Sequence, residues 1–122
     1  MKKWVIVFCV LILNSGFVIA QSNNSCKSLP ESFSSYEQAL HQVNNVVFKI
    51  HESVDTIKSS WVRTVSFYSC DGQVGFLIMK TGGKSYIHQN VPIEIWNELK
   101  NADSFGSYYN EKIKHNYRIS IN

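Results

Sequence analysis

The chain has 122 residues and a formal net charge of +3, with 12 lysines and arginines against 9 acidic residues. Lys2 and Lys3 fall in a predicted leader, which leaves ten basic residues against nine acidic ones in the predicted mature chain. A nucleic-acid-binding protein usually has an overall basic charge, and this nearly neutral chain does not show one. The length argues against several domains. We expect one small domain with a single core.

The first twenty residues have the pattern of a Sec signal peptide. Lys2 and Lys3 precede an apolar run from Trp4 to Leu13, and small or apolar residues end at Ala20. The pattern predicts cleavage after Ala20 and a secreted or periplasmic protein. An uncleaved membrane anchor is the alternative, although the apolar run is short for a span of about 20 residues.

Two cysteines remain in the predicted mature chain, Cys26 and Cys70, because Cys9 lies in the leader. In an exported protein an even pair favours a disulfide. Closing the loop between them would stabilise the fold by about 4 kcal/mol in the chain-entropy model. Two unrelated thiols are the alternative.

The N-terminal part of the mature chain is predicted to contain a linker, a helix and a strand. Residues 21–35 are rich in serine and asparagine and are predicted to be the linker. From Tyr36 onward, apolar residues recur at helical spacing: Tyr36, Leu40, Val43 and Val47. The β-branched and aromatic residues at 46–50 predict a strand by His51.

The remaining residues predict a sheet followed by helices. Strands are predicted at 61–70, 73–80 and 84–91, with hairpin turns at Asp71-Gly72 and Gly82-Gly83. Pro92 suits the first turn of a helix, Ser104 can begin a second helical segment, and alternation after Tyr117 indicates a short final strand. The predicted class is α+β, a small antiparallel meander of about three to five strands with an N-terminal helix and one or two C-terminal helices.

Two-residue loops at both turns fix a predicted register. They pair Phe67 with Phe76, Val65 with Ile78, and Ile78 with Ile87. These residues and Val74 then form an apolar core face. The opposite face carries a mixed set: Thr64, Ser66, Tyr68, Leu77, Met79, Tyr86 and His88.

No catalytic, metal or cofactor site is predicted from the sequence. His51-Glu52 begins like the zinc-protease pattern H-E-x-x-H, but Asp55 stands at the fifth position. Cys70 lies too far along its strand from His88 to form a thiol–histidine pair. A hydrolase using His88 stays as a third hypothesis.

Aromatic and basic residues form the candidate binding group. Aromatic rings interleaved with lysines can stack on bases and contact phosphates. The candidates are Tyr68, Lys80, Lys84, Tyr86, His88, Tyr108, Asn110 and Lys112. The alternative, which we favour, is that the N-terminal helix covers Tyr68, Tyr86 and His88 and gives them a structural role.

Between Ser59 and Tyr117 the sequence resembles the KTSC domain, named for the C-terminal extension of some lysyl-tRNA synthetases. The likeness rests on an ordered set of residues: Ser59, Ser60, Phe67, Gly83, Tyr86, Ile87, His88, Val91, Pro92, Leu99, Ala102, Ser104, Gly106, Tyr108, Asn110, Ile113 and Tyr117. His88 stands where the family usually has the second tyrosine of a Tyr-x-Tyr pair. The resemblance implies a small α+β domain of unknown function, for which RNA binding has been suggested.

The predicted organisation has four parts: signal peptide 1–20, linker 21–35, N-terminal helix and strand 36–58, and a KTSC-like domain 59–122. We expect a small exported, non-catalytic module that binds another protein in the cell envelope or outside the cell. A periplasmic immunity or inhibitor protein is one form of this hypothesis. RNA binding is the alternative, which export and near-neutral charge disfavour.

Overall fold

The computed structural model describes residues 25–56 and 61–122, and its centre is a four-stranded antiparallel sheet. The strands lie in the order β1 (Ile50–Asp55), β2 (Val62–Ser69), β3 (Val74–Thr81) and β4 (Ser85–Pro92). The helices are α1 (Tyr36–Asn44), α2 (Ile93–Lys100) and α3 (Phe105–Tyr108), which continues into a π-helix (Tyr109–Ile113). The predicted α+β meander with flanking helices is confirmed.

The predicted signal peptide lies outside the described residues. Among the residues that are described, no helix has the length and apolar character needed to cross a membrane.

Helix starts follow the local sequence. The Ser35 side chain accepts a hydrogen bond from the backbone N–H of Gln38 and caps α1. Helix α2 begins directly after Pro92, and the Ser104 side chain caps α3 through the backbone N–H of Ser107. The Ser35 and Ser104 caps each satisfy a backbone donor that the first helical turn would otherwise leave unpaired.

The β3–β4 hairpin has the predicted register. The backbone N–H of Thr81 donates to the carbonyl of Lys84 at 2.8 Å, which leaves Gly82-Gly83 as a two-residue loop. Ile78 therefore pairs with Ile87.

The β2–β3 hairpin has a longer loop than predicted. Gly72 adopts a φ of 83°, which favours glycine. Asp71 Oδ1 accepts hydrogen bonds from the backbone N–H groups of Gln73 (2.8 Å) and Val74 (3.1 Å). These bonds lower the pKa of the Asp71 carboxyl. They also hold a loop that is one residue longer than the predicted two-residue loop.

The longer loop shifts β2 by one residue, so the predicted register of β2 is wrong. Phe67 pairs with Leu77, and Tyr68 pairs with Phe76. Because side chains alternate along a strand, the shift moves every β2 side chain to the other face. Tyr68 therefore lies on the face opposite to His88, and the predicted face shared by Tyr68, Tyr86 and His88 does not form.

Both faces of the sheet carry an apolar cluster. Helix α2, α3 and the π-helix contribute to the first, where Phe67 stacks on Trp96 with ring centroids 5.5 Å apart. The second contains Ala39 and Val43 of α1 together with Ile78 and Ile87.

The expectation that the N-terminal helix covers Tyr86 and His88 is wrong. Helix α1 contributes to the cluster on the opposite face, where Tyr68 packs. His88 is buried by hydrogen-bonded contacts to the C-terminal residues Tyr109 and Tyr117. Tyr86 stays 37% exposed.

The two ends of the described chain meet beside β4. The backbone N–H of Phe33 donates to the carbonyl of Ser120 at 2.9 Å, and the Phe33 side chain is buried in the second cluster. The Gln89 side chain donates to the carbonyl of Glu31 (2.9 Å) and accepts from the N–H of Ser120 (2.8 Å). The described part of the predicted linker, residues 25–35, is thus anchored to the sheet.

A disulfide fixes the same N-terminal residues. Cys26 and Cys70 are bonded, with their Cα atoms 5.8 Å apart. The predicted pairing is confirmed, and it ties residues before α1 to the end of β2.

Substituting Gly75 by alanine should lower the free energy of unfolding by about 2 kcal/mol, because there is no room for a side chain. A Cβ atom at Gly75 would lie 2.1 Å from the backbone oxygen of Tyr68, and backbone in a sheet cannot move aside easily. At Gly83 a Cβ atom would meet nothing within 4 Å, so Gly83→Ala is the matched control. Urea unfolding measures both variants, and equal stabilities would contradict the prediction.

Candidate functional site

A groove of about 850 Å³ lies where the start of α1, strand β4 and the π-helix come together. We call it the aromatic–basic groove. Its lining residues are Tyr36, Glu37, Leu40, Trp61, Met79, Gly83, Lys84, Ser85, Tyr86, Ile87, His88, Tyr109, Asn110, Lys114, His115 and Arg118. Its volume is in the range of sites that bind small molecules or short peptides.

Several exposed aromatic side chains line the groove. Tyr36, Trp61 and Tyr86 are 51%, 38% and 37% exposed. They come from α1, from the residue before β2, and from β4, so three separate segments place rings around one concave surface. Rings that are exposed together in this way offer contact area to a ligand at low entropic cost.

Three permanent cations line the same groove. Lys84, Lys114 and Arg118 form no ion pair with a carboxylate within residues 25–56 and 61–122, where the ion pair found joins Lys100 to Glu52. The Lys84 Nζ atom lies 5.6 Å from the centre of the Tyr86 ring, within the range of a cation–π contact.

Neighbouring polar groups modify this charge. Arg118 Nη2 donates to His115 Nδ1 at 3.3 Å, since a guanidinium has no acceptor. Glu37 is the acidic residue among those that line the groove. The local charge of the lining is therefore positive although the predicted mature chain is nearly neutral.

His88 forms the inner wall and uses both of its ring nitrogens in hydrogen bonds. Nδ1 lies 3.1 Å from the carbonyl oxygen of Tyr117, and Nε2 lies 2.8 Å from the hydroxyl of Tyr109. A carbonyl only accepts, so Nδ1 carries the proton, Nε2 accepts, and the Tyr109 hydroxyl donates. Burial lowers the pKa of His88, although the Tyr117 carbonyl opposes this effect. The imidazole is thus held neutral.

Tyr109 completes this hydrogen-bonded pair from the first residue of the π-helix. Burial raises its pKa to about 12, with smaller contributions from Tyr86 and Tyr36. Its hydroxyl is therefore a stable donor at neutral pH. π-Helical turns are rare and occur frequently at functional sites.

Gly106 allows the Trp61 side of the groove to form. A Cβ atom at Gly106 would lie 2.7 Å from the Trp61 Nε1 atom, so only glycine permits the observed contact. Trp61 also packs edge-on against Tyr109, with ring centroids 6.1 Å apart. This close contact gives a physical reason for glycine within the Ala-x-Ser-x-Gly-x-Tyr run.

The groove contains four of the eight candidate binding residues: Lys84, Tyr86, His88 and Asn110. The other four do not line it: Tyr68, Lys80, Tyr108 and Lys112. Tyr68 stacks on His51 on the opposite face, at 4.3 Å between ring centroids. The Tyr108 hydroxyl donates to Glu98 Oε1 at 2.6 Å. Burial and this carboxylate raise the pKa of Tyr108.

The sequence prediction missed Tyr36, Trp61 and Arg118 as groove residues. Tyr36 has the spacing of the α1 apolar stripe, and Trp61 reads as the start of a strand. For Arg118 a signal was present, because alternation of Tyr117, Ile119 and Ile121 places Arg118 on the other side of an extended segment.

The chemistry offered by the groove is recognition of a ligand with negative charge and apolar or planar groups. The cations supply electrostatic attraction and charge-assisted hydrogen bonds, and the rings supply contact area. Among the described residues, no cluster of three or more histidine, cysteine, aspartate or glutamate side chains is placed to hold a metal ion.

Residues 73–117 match the KTSC domain family. The matched part includes β3, β4, α2, α3 and the π-helix. No curated protein and no solved structure matches the chain. The matched part supplies β4, Lys84 and Lys114 of the groove, whereas Tyr36 and Trp61 precede it and Arg118 follows it.

Proposed function

We propose that this protein is a small exported, non-catalytic binding module of the KTSC type that contacts another protein through the aromatic–basic groove. The proposal rests on one difference. The side chains at the groove surface are exposed to a ligand, whereas the side chain in its inner wall makes its hydrogen bonds within the protein. Tyr86 and Trp61 are exposed beside Lys84, Lys114 and Arg118, which form no ion pair with a carboxylate in the described part of the chain. His88 instead has both ring nitrogens engaged within the protein.

Export is supported by the disulfide and by the leader-like sequence. Disulfides persist mainly in oxidising compartments outside the cytosol, and Cys26–Cys70 is formed in the folded chain. The N-terminal pattern ending at Ala20 is typical of a Sec signal peptide. We place the partner in the cell envelope or outside the cell, and an immunity or inhibitor role is one form that such binding takes.

RNA binding is the second candidate, and one contact favours it. Lys84 lies over the Tyr86 ring, and such pairs of rings and cations accommodate stacked bases and phosphates. Proposed export and the near-neutral charge weigh against it. The hydrolase hypothesis is weaker, because a general base needs a free ring nitrogen and His88 has none in this arrangement.

Charge reversal at two matched lysines tests the proposed function. Lys84 lines the groove and Lys80 does not, although both lie beside the β3–β4 turn. We expect photo-crosslinking with purified mature protein in envelope extracts to capture a specific protein partner. Lys84→Glu should weaken capture about tenfold, because it places a like charge against the ligand. Lys80→Glu should leave capture near the wild-type level.

Two results would refute the proposal. One is equal capture by both variants, because the partner would then bind elsewhere. The other is the absence of any captured protein whose yield depends on Lys84.

A further inference from the structure

We infer that the aromatic–basic groove binds a short acidic peptide segment of its partner, in which an apolar side chain lies beside carboxylates. The inference rests on the proposed function and adds the chemistry of the ligand. It combines the charge of the groove, the exposed aromatic rings that line it and its limited extent.

The charge argument comes from cations that line one groove and form no ion pair with a carboxylate among the described residues. Lys84 follows the β3–β4 turn, Lys114 follows the π-helix, and Arg118 lies in the C-terminal segment bridged to His88. None of the three pairs with a carboxylate in the described part of the chain. Carboxylates of a ligand would therefore replace water on these cations without breaking an internal ion pair.

The apolar argument comes from the exposed rings. Tyr36 is 51% exposed and Tyr86 is 37% exposed, and both line the groove. An apolar or aromatic side chain of a ligand would pack against these rings. Interfaces commonly combine such a central anchor with a polar rim.

The extent of the groove favours a peptide over a nucleic acid. Nucleic acids gain most of their affinity from many phosphate contacts along a basic track. Here the basic surface is local: Glu37 lines the groove, and Glu111 is exposed one residue after Asn110. A volume of about 850 Å³ also suits a few amino-acid residues better than a strand of nucleotides.

Calorimetric titration of the mature protein with defined probes tests this inference. The main probe is a terminally blocked pentapeptide with one phenylalanine followed by four glutamates. A second peptide replaces the glutamates by glutamines, a third replaces the phenylalanine by alanine, and the fourth probe is a ten-nucleotide oligouridylate. Lys114→Gln removes a groove cation, and Lys112→Gln is its matched control, since Lys112 is an exposed lysine outside the lining.

We expect the acidic peptide with phenylalanine to bind more tightly than either altered peptide and more tightly than oligouridylate. Lys114→Gln should weaken that binding about two- to fivefold, whereas Lys112→Gln should change it by less than about 1.5-fold. Raising the salt concentration should weaken binding further.

Equal binding of the glutamine peptide, equal effects of the two lysine variants, or tighter binding of oligouridylate would each overturn the inference. These failures are separable from failure of the proposed function. If Lys84→Glu abolishes partner capture while no acidic peptide binds, the groove is the interface but its ligand is not an acidic segment.

Discussion

Replacing both Cys26 and Cys70 by serine should lower the free energy of unfolding by about 4 kcal/mol. The two residues are 44 positions apart in the sequence, and their bond closes a loop that contains α1, β1 and β2. Without the bond, the unfolded chain gains the conformational freedom that this loop closure removed. An effect of this size is a large fraction of the stability of a typical small domain.

Loss of the bond should also loosen one particular region. The backbone N–H of Cys26 donates to the carbonyl of Val47 at 3.2 Å, and Phe33 packs beneath the sheet seven residues later. We expect amide exchange to increase first in residues 25–35, because short extended segments depend on such anchors.

Urea unfolding of a protein that begins at Gln21, measured with and without a thiol reductant, tests this effect. Reduction should bring the wild type to the stability of the double serine variant, and the variant should not respond to the reductant. A decrease below about 1 kcal/mol, or a reductant effect on the variant, would show that the bond does not supply the expected stabilisation.

Local sequence signals predicted most of the fold correctly. The apolar spacing from Tyr36 predicts α1, and Gly82-Gly83 predicts the β3–β4 register. Both features depend on residues close together in the sequence, so local propensity determines them.

The β2–β3 hairpin shows where such reasoning fails. Asp71-Gly72 indicates a turn correctly, but the number of residues in the loop depends on which backbone groups the Asp71 side chain binds. Because the predicted loop is one residue too short, the prediction places Tyr68 on the wrong face of the sheet and includes it in the candidate site.

The candidate site was predictable only in part, because it is assembled from distant segments. Lys84 and Tyr86 lie beside a well-predicted turn, whereas Trp61 reaches the groove by packing against Gly106 and Tyr109. The pairing of His88 with Tyr109 spans 21 residues and depends on the position of the π-helix. Spacing in the sequence does not determine such tertiary contacts.

The buried His88 should make stability sensitive to mildly acidic pH. Its pKa in the folded protein is lower than the ordinary value of 6.5, because burial opposes the charged form. Well above pH 6.5 both the folded and the unfolded states hold a neutral imidazole, so its contribution is constant. As the pH falls below 6.5, the unfolded state binds the proton first, and stability decreases until the pH reaches the folded-state pKa.

The expected slope is at most about 1.4 kcal/mol per pH unit for this one group. Urea unfolding between pH 7.5 and 5.5 measures it. Glu52 and Asp71 titrate below this window, because hydrogen bonds lower the pKa of each carboxyl. His88→Gln keeps hydrogen-bonding capacity but cannot titrate, so its stability should vary less with pH than that of the wild type.

His88→Ala should lower the free energy of unfolding more than His88→Gln, because it removes the side chain and not only its ability to titrate. His88→Ala leaves the Tyr109 hydroxyl and one bond to the Tyr117 carbonyl without their partner, in a buried position. An unpaired buried group costs about 1–3 kcal/mol, and the cavity adds to this, so we expect a loss of about 3–5 kcal/mol. Tyr109→Phe should cost about 1–2 kcal/mol, and a double-mutant cycle should show that the two residues are coupled.

A structural histidine and a reactive one give different results in these measurements. If His88 stabilises the fold, His88→Ala lowers stability strongly and the pH slope disappears in His88→Gln. If His88 instead serves chemistry in the groove, its removal should leave stability near the wild-type value, as often happens at sites selected for activity. Wild-type stability in His88→Ala, or an unchanged pH slope in His88→Gln, would therefore contradict the structural role assigned to the His88–Tyr109 pair.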